Sequence, residues 1–112
     1  MTETSVLPPR VFGSVSVAMV TPFHEDGSLD IDSAVALADH LVKQGCDSIL
    51  ISGTTGESPT THQPEKDELV REVKEAIKGR AFLLAGAGSN DTAHAVRIAQ
   101  GAQESGADGL LV

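Results

Sequence analysis

The apolar and polar positions of this chain repeat one pattern. A short apolar run is followed by a turn, then by a longer stretch with apolar residues every three or four positions. Residues 14–20 (SVSVAMV) are apolar and β-branched, and they stop at Thr21-Pro22, where a proline without an N–H ends a ladder. His24-Glu25-Asp26-Gly27 is turn chemistry. A helix is predicted next, capped by Asp30 or Asp32 and running through Lys43 or Gln44. It carries Ala34, Leu37, Ala38, Leu41 and Val42 on one face, with Gly45 as its stop. A second strand is predicted over 48–51. The second helix starts within 61–64, with Pro64 in its first turn and Leu69, Val70, Val73 and Ile77 as its stripe; Gly79 closes it. Asp67 and Arg71 are spaced for an ion pair on its wet face. A third strand is predicted over 82–85. The third helix, capped by Asn90 or Asp91, carries Ala95, Val96, Ile98, Ala99 and Ala102 and ends at Gly106; a fourth apolar run covers 109–112.

Strands alternating with helices at this rhythm predict an α/β fold with parallel strands and right-handed crossovers. The segment 45–51 echoes 106–112 position by position: a helix stop, a short loop with an aspartate, then an apolar strand. The grammar common to βα units suffices to explain the echo. A terminal apolar strand would leave an unpaired edge. This predicts the N-terminal portion of a (β/α)8 TIM barrel, four strands and three helices, of a fold that takes roughly 250 residues in full. A flavodoxin-like open sheet is the alternative. Residues 1–10, with Glu3, Pro8 and Pro9, read as a loose arm, and 11–112 as a partial barrel domain.

Composition narrows the picture. Of 112 residues, 40% are hydrophobic and only 3% aromatic, with no Trp and no Tyr, so the core must be built from Ala, Val, Leu and Ile. The net charge of −8 argues against nucleic acid and an anionic membrane as partners. No apolar run approaches the ~20 residues of a membrane span. The first ten residues lack the layout of a secretion signal, so a cytoplasmic protein is expected. The single Cys46 excludes an internal disulfide and reads as a small buried apolar residue.

Ligands of parallel βα folds bind where strands end. Three such loops are visible: Thr21-Pro22-Phe23, Gly53-Thr54-Thr55-Gly56-Glu57 and Gly86-Ala87-Gly88-Ser89-Asn90. The second is the sharpest. Two glycines permit a tight turn, and two adjacent hydroxyls with their N–H groups suit a carboxylate. It reads either as a clamp for an acidic substrate or as a βα turn with good turn residues. No Lys follows Gly56, so it is not a phosphate loop, and Gly86-Ala87-Gly88 lacks the third glycine of a dinucleotide fingerprint. His24, His40, His62 and His94 do not sit at metal-ligand spacing, so no metal is expected. Lys43, Lys66, Lys74 and Lys78 all fall on predicted helices, away from strand ends, which makes each a poor Schiff-base candidate.

Taken together, Ala18-Met19-Val20-Thr21-Pro22-Phe23, Gly53-Thr54-Thr55-Gly56-Glu57-Ser58 and Ala85-Gly86-Ala87-Gly88-Ser89-Asn90 resemble the dihydrodipicolinate (4-hydroxy-tetrahydrodipicolinate) synthase family of pyruvate-dependent class I aldolases. The continuation Ser58-Pro59-Thr60-Thr61 is similar to actinobacterial members. The resemblance implies a (β/α)8 lyase in which a lysine on a later strand forms a Schiff base with pyruvate. The enamine then attacks L-aspartate 4-semialdehyde, in lysine and diaminopimelate biosynthesis. It further implies a cytoplasmic homotetramer with no cofactor.

By the same resemblance, Thr54 is the hydroxyl of a proton relay between two tyrosines. Thr55 binds the pyruvate carboxylate, Ala18 lines the pocket, Gly53 and Gly56 set the turn, and Glu57 braces it. The Schiff-base lysine, both tyrosines and the entrance arginine of the family would lie beyond Val112, so this chain alone is expected to be inactive. Ser58 and Asn90 match the family's lysine-feedback site. Gln63, Lys66 and His94 stand where lysine-inhibited members carry two histidines and a glutamate, which predicts weak or absent feedback. Sister lyases acting on N-acetylneuraminate or 2-keto-3-deoxy sugar acids, and a non-catalytic βα binding fragment, are the competing readings.

Overall fold

The computed structural model describes residues 11–112; the arm expected over 1–10 lies outside the described residues. Four strands and three helices alternate: β1 (Ser16–Ala18), α1 (Ile31–Lys43), β2 (Ser48–Ile51), α2 (Gln63–Ile77), β3 (Phe82–Gly86), α3 (Thr92–Ser105) and β4 (Gly109–Leu111). The strands lie side by side in chain order, every pair parallel. The fold is the opening β1-to-β4 arc of a (β/α)8 barrel.

Alternation along the strands separates two faces. Met19, Ile49, Ile51, Leu83 and Ala85 are buried against the helices, with Ala34 and Ala38 of α1, Leu69, Val70, Val73 and Ile77 of α2 and Ala102 of α3. Aliphatic side chains thus fill the core, as the near-absence of aromatics requires. The other sheet face carries Ala18, Leu50, Phe82, Leu84 and Leu111, and here Phe82 and Leu111 are exposed. Phe12 packs edge-on against Phe82, with ring centres 5.9 Å apart. The same ring reaches Gly109, where a Cβ would come within 2.6 Å of it.

Local chemistry sets the element ends. The Asp30 carboxylate accepts from the Ser33 N–H and hydroxyl and caps α1. Asp91 caps α3 by accepting from the Ala93 N–H. At the start of α2, the Glu65 carboxylate accepts from the His62 N–H. Gly45, Gly79 and Gly106, each with φ between 75° and 111°, follow the three helices.

Two expectations need correction. The first strand is three residues long rather than 14–20. At its start, the Ser14 and Val15 N–H groups donate to the Asp47 carboxylate at 2.7 and 2.9 Å, instead of to a ladder. At its end, pairing continues only as far as the Met19 N–H on the Leu50 carbonyl. The ion pair of Asp67 with Arg71 does not close within 4 Å among the described residues. The Asp67 carboxylate instead lies over Gly101 of α3, where a Cβ would meet it at 2.6 Å. Burial pushes the Asp67 carboxyl up, against the pull of Arg71.

The echo between 45–51 and 106–112 has a physical content. Asp47 donates its N–H to the Val15 carbonyl and accepts the Val15 N–H on its carboxylate. Asp108 does the same with Leu83, at 2.8 Å in both directions. Each aspartate therefore ties the start of its own strand to the start of the strand before it. The device serves β2 and β4 and skips β3, where Ala81 occupies the corresponding place.

Candidate functional site

The strand-end loops meet at one end of the sheet. A cleft of about 730 Å³ opens there, bordered by Gly53, Thr54, Ser58, Gly86, Asn90 and His94. The turn at 53–57 is its best-defined wall. The Gly53 carbonyl accepts the N–H groups of both Gly56 and Ser58, at 3.0 and 3.2 Å, and the Glu57 N–H donates to the Thr54 carbonyl. Ser52 and Glu57 bracket the turn with φ of 56° and 60°, left-handed values that non-glycine residues adopt only where their surroundings hold them. A single 3-10 turn, Ser58–Thr60, leads from it into α2.

Within this turn the N–H groups of Thr54 and Thr55 donate to no acceptor among the described residues, and both threonines are exposed. Adjacent, oriented amide donors on a fixed turn are suited to an anionic oxygen without a formal positive charge. Gly56 is buried against the end of β1, with a Cβ position 3.1 Å from the Met19 carbonyl. Of the residues singled out in the sequence, Gly53, Thr54, Ser58 and Asn90 share the cleft. Thr55 and Gly56 belong to the same turn. Ala18 closes β1 on the open sheet face and pairs with Leu50, one strand away.

Lys66 lies on α2, as expected, and lines the cleft with Ser58, Asn90 and His94; its partners are what the sequence did not show. Its ammonium reaches back to the strand-end turn and donates to the carbonyls of Ser58 (2.8 Å) and Thr61 (2.6 Å). Burial pulls its pKa down, while Glu65 and Asp67 act the other way. Only the three-dimensional path of 58–61 brings those carbonyls within reach. On the far wall, Ser89 Oγ lies 3.3 Å from His94 Nδ1. None of the residues lining the cleft is acidic. Among the described residues no group of His, Cys, Asp or Glu gathers into a metal site, and no helix is long and apolar enough to cross a membrane.

Residues 11–112 match the Dihydrodipicolinate synthetase family. The chain is 53% identical over 111 residues to a 4-hydroxy-tetrahydrodipicolinate synthase of Kineococcus radiotolerans, covering 99% of this chain and 36% of that protein. It is 58% identical over 104 residues to the enzyme of the same name in Mycolicibacterium paratuberculosis, covering 93% of this chain and 35% of that one. Among solved structures, a dihydrodipicolinate synthase from Bacillus anthracis superposes with a TM-score of 0.85 at 38% identity, over 88% of this chain and 34% of that one. The synthase of Cyanidioschyzon merolae, whose structure has lysine bound, superposes with a TM-score of 0.85 at 44% identity, over 88% of this chain and 34% of that one. The chain thus spans about a third of the length of the relatives it matches.

Proposed function

This chain belongs to the dihydrodipicolinate synthetase family, and on that footing we propose that it supplies the pyruvate-holding turn of a 4-hydroxy-tetrahydrodipicolinate synthase. The parent enzyme would condense pyruvate with L-aspartate 4-semialdehyde through a Schiff-base enamine. The observation that carries the reading is the pair of unengaged N–H groups at Thr54 and Thr55, presented at the end of the sheet where strands terminate. Fixed donors of this kind favour an α-keto acid carboxylate, because they need no reorganisation when the anion arrives.

On this reading Thr55 holds the carboxylate through its N–H and hydroxyl. Thr54 passes a proton between two tyrosines, Gly53 and Gly56 allow the turn to close, and Ala18 forms part of the pocket wall. Ser58 and Asn90 remain from a feedback site whose other positions have changed. This chain contains no Tyr, so the relay partners would come from the part of the relatives' length that it does not span. The Schiff-base lysine would come from there too, since the Lys66 ammonium is engaged by two carbonyls. The parent is taken to be a cytoplasmic homotetramer that needs no cofactor.

The test uses the full-length parent. Pyruvate followed by borohydride is expected to add one reduced pyruvate to the intact mass. Aspartate semialdehyde is expected to be turned over far faster than N-acetylneuraminate or 2-keto-3-deoxy sugar acids. No adduct would overturn the aldolase reading; preference for a sugar acid would transfer the parent to a sister lyase.

A further inference from the structure

Thr21 sits just past the end of β1, in one of the three strand-end loops, and neither the loop chemistry nor the resemblance gives this residue a role of its own. The residue is only 6% exposed, and its hydroxyl donates to the Gly56 carbonyl at 2.7 Å. That is a long-range bond, from the end of one strand to the loop after the next. Among the described residues no other group donates to the Gly56 carbonyl. Gly56 presses so closely on this neighbourhood that a Cβ there would lie 3.2 Å from Thr21 Oγ1, 3.1 Å from the Met19 carbonyl and 3.1 Å from the Ser52 nitrogen.

The opposite side of the turn is held just as tightly. A Cβ on Gly86, at the end of β3, would come within 2.1 Å of the Ser52 carbonyl oxygen and 3.1 Å of the Gly53 nitrogen. The backbone entering the turn therefore lies directly on β3, and the backbone leaving it is tied to β1. Between these two supports, Ser52 and Glu57 are kept left-handed.

We propose that Thr21 is a positioning residue: its buried hydroxyl, acting through the Gly56 carbonyl with Gly86 as the opposing support, sets the orientation in which Thr54 and Thr55 present their N–H groups to a carboxylate. The substrate part rests on the pyruvate reading above; the positional part does not. Valine has the shape of threonine without the hydroxyl, so Thr21→Val keeps the packing and leaves the Gly56 carbonyl without its donor. Thr21→Ser keeps the donor.

In the full-length parent, Thr21→Val is expected to speed hydrogen exchange about tenfold in the hydrogen-bonded amides of the turn, those of Gly56, Glu57 and Ser58, with the amides of α1 and α2 unchanged. It is also expected to raise KM for pyruvate about tenfold while kcat and KM for aspartate semialdehyde stay within about threefold. Thr21→Ser is expected to restore both. Should Thr21→Val not fold, Thr21→Ala against Thr21→Ser carries the same comparison. Unchanged exchange at the Gly56, Glu57 and Ser58 amides in the hydroxyl-free variant overturns the proposal whatever the substrate. Equal damage in Thr21→Ser, or both KM values rising together, overturns it as well. A wild-type parent that does not turn over pyruvate removes the substrate reading alone, and the exchange measurement still decides the role of Thr21.

Discussion

Lys66 places a positive charge in the cleft and anchors it on the Ser58 and Thr61 carbonyls. An amino acid whose own side chain is an ammonium would have to enter beside that charge, and the cleft offers it no carboxylate. The position His94 faces Ser89 rather than supplying a negative partner. L-Lysine is therefore expected to bind the full-length parent at least a hundredfold more weakly than micromolar, which isothermal titration reads directly; a micromolar constant would contradict the argument. At this scale the sequence was informative where a residue's role is local. Each cap was narrowed to two residues, Asp30 or Asp32 and Asn90 or Asp91, because capping needs only the following turn; the structure selects Asp30 and Asp91, and the two glycines around Thr54-Thr55 marked a tight turn. The partners of Thr21 and Lys66 were not legible. Thr21 reads as the last residue before a proline, and Lys66 as a helical lysine at a position of the family's feedback site. Their partners, Gly56 and the 58–61 carbonyls, are chosen by the fold.

At the scale of elements, the aspartate that precedes every second strand is the device with the clearest consequence. Asp47 accepts from the Val15 and Ser14 N–H groups, which hold its carboxyl below the ordinary value. Partial burial opposes ionisation of Asp108, but hydrogen bonds from Lys74 and the Leu83 N–H outweigh it, and its pKa is also lowered. A lowered folded pKa stabilises above the ordinary carboxylate value near 3.8 and is lost as pH falls through the lower folded one. Asp108→Asn in the full-length parent is therefore expected to cost about 1 kcal/mol at pH 7, discounted for partial exposure, with the difference from wild type shrinking below about pH 4. Thermal melts at pH 7 and pH 3 check this; an equal difference at both would sink the linkage argument. Apolar runs flanked by turn residues gave β2 its bounds without error, because a parallel strand covered on both faces reads as a near-continuous apolar run. The first strand was overdrawn for a physical reason: Ser14 and Val15 are β-branched or small and extended, yet their donors go to Asp47. Nothing in 14–20 itself announces that.

For the molecule as a whole, one face of the sheet decides the behaviour. The helices cover one side with aliphatic packing, but the other side leaves Phe82 42% and Leu111 52% exposed. Val15 and Val20 flank β1, and Leu110 lies on β4, all exposed; among the described residues both outer strands keep an unpaired edge. In parallel folds both faces of the sheet are normally covered, because the strands carry apolar residues on each. The alternation of elements made this architecture readable in advance: four parallel strands in chain order follow from three consecutive right-handed βα units. What covers the second face cannot be read from the same pattern. A polypeptide of residues 1–112 made alone is accordingly expected to bind a hydrophobic dye strongly, to elute as a mixture of oligomers, and to melt without a cooperative transition, while the full-length parent melts cooperatively. Gel filtration with light scattering and a thermal scan decide between them. A soluble monomer of 1–112 with a sharp transition would mean that the packing of α1, α2 and α3 on β2 and β3 suffices for a stable unit, and that the open face is tolerated rather than completed by further strands.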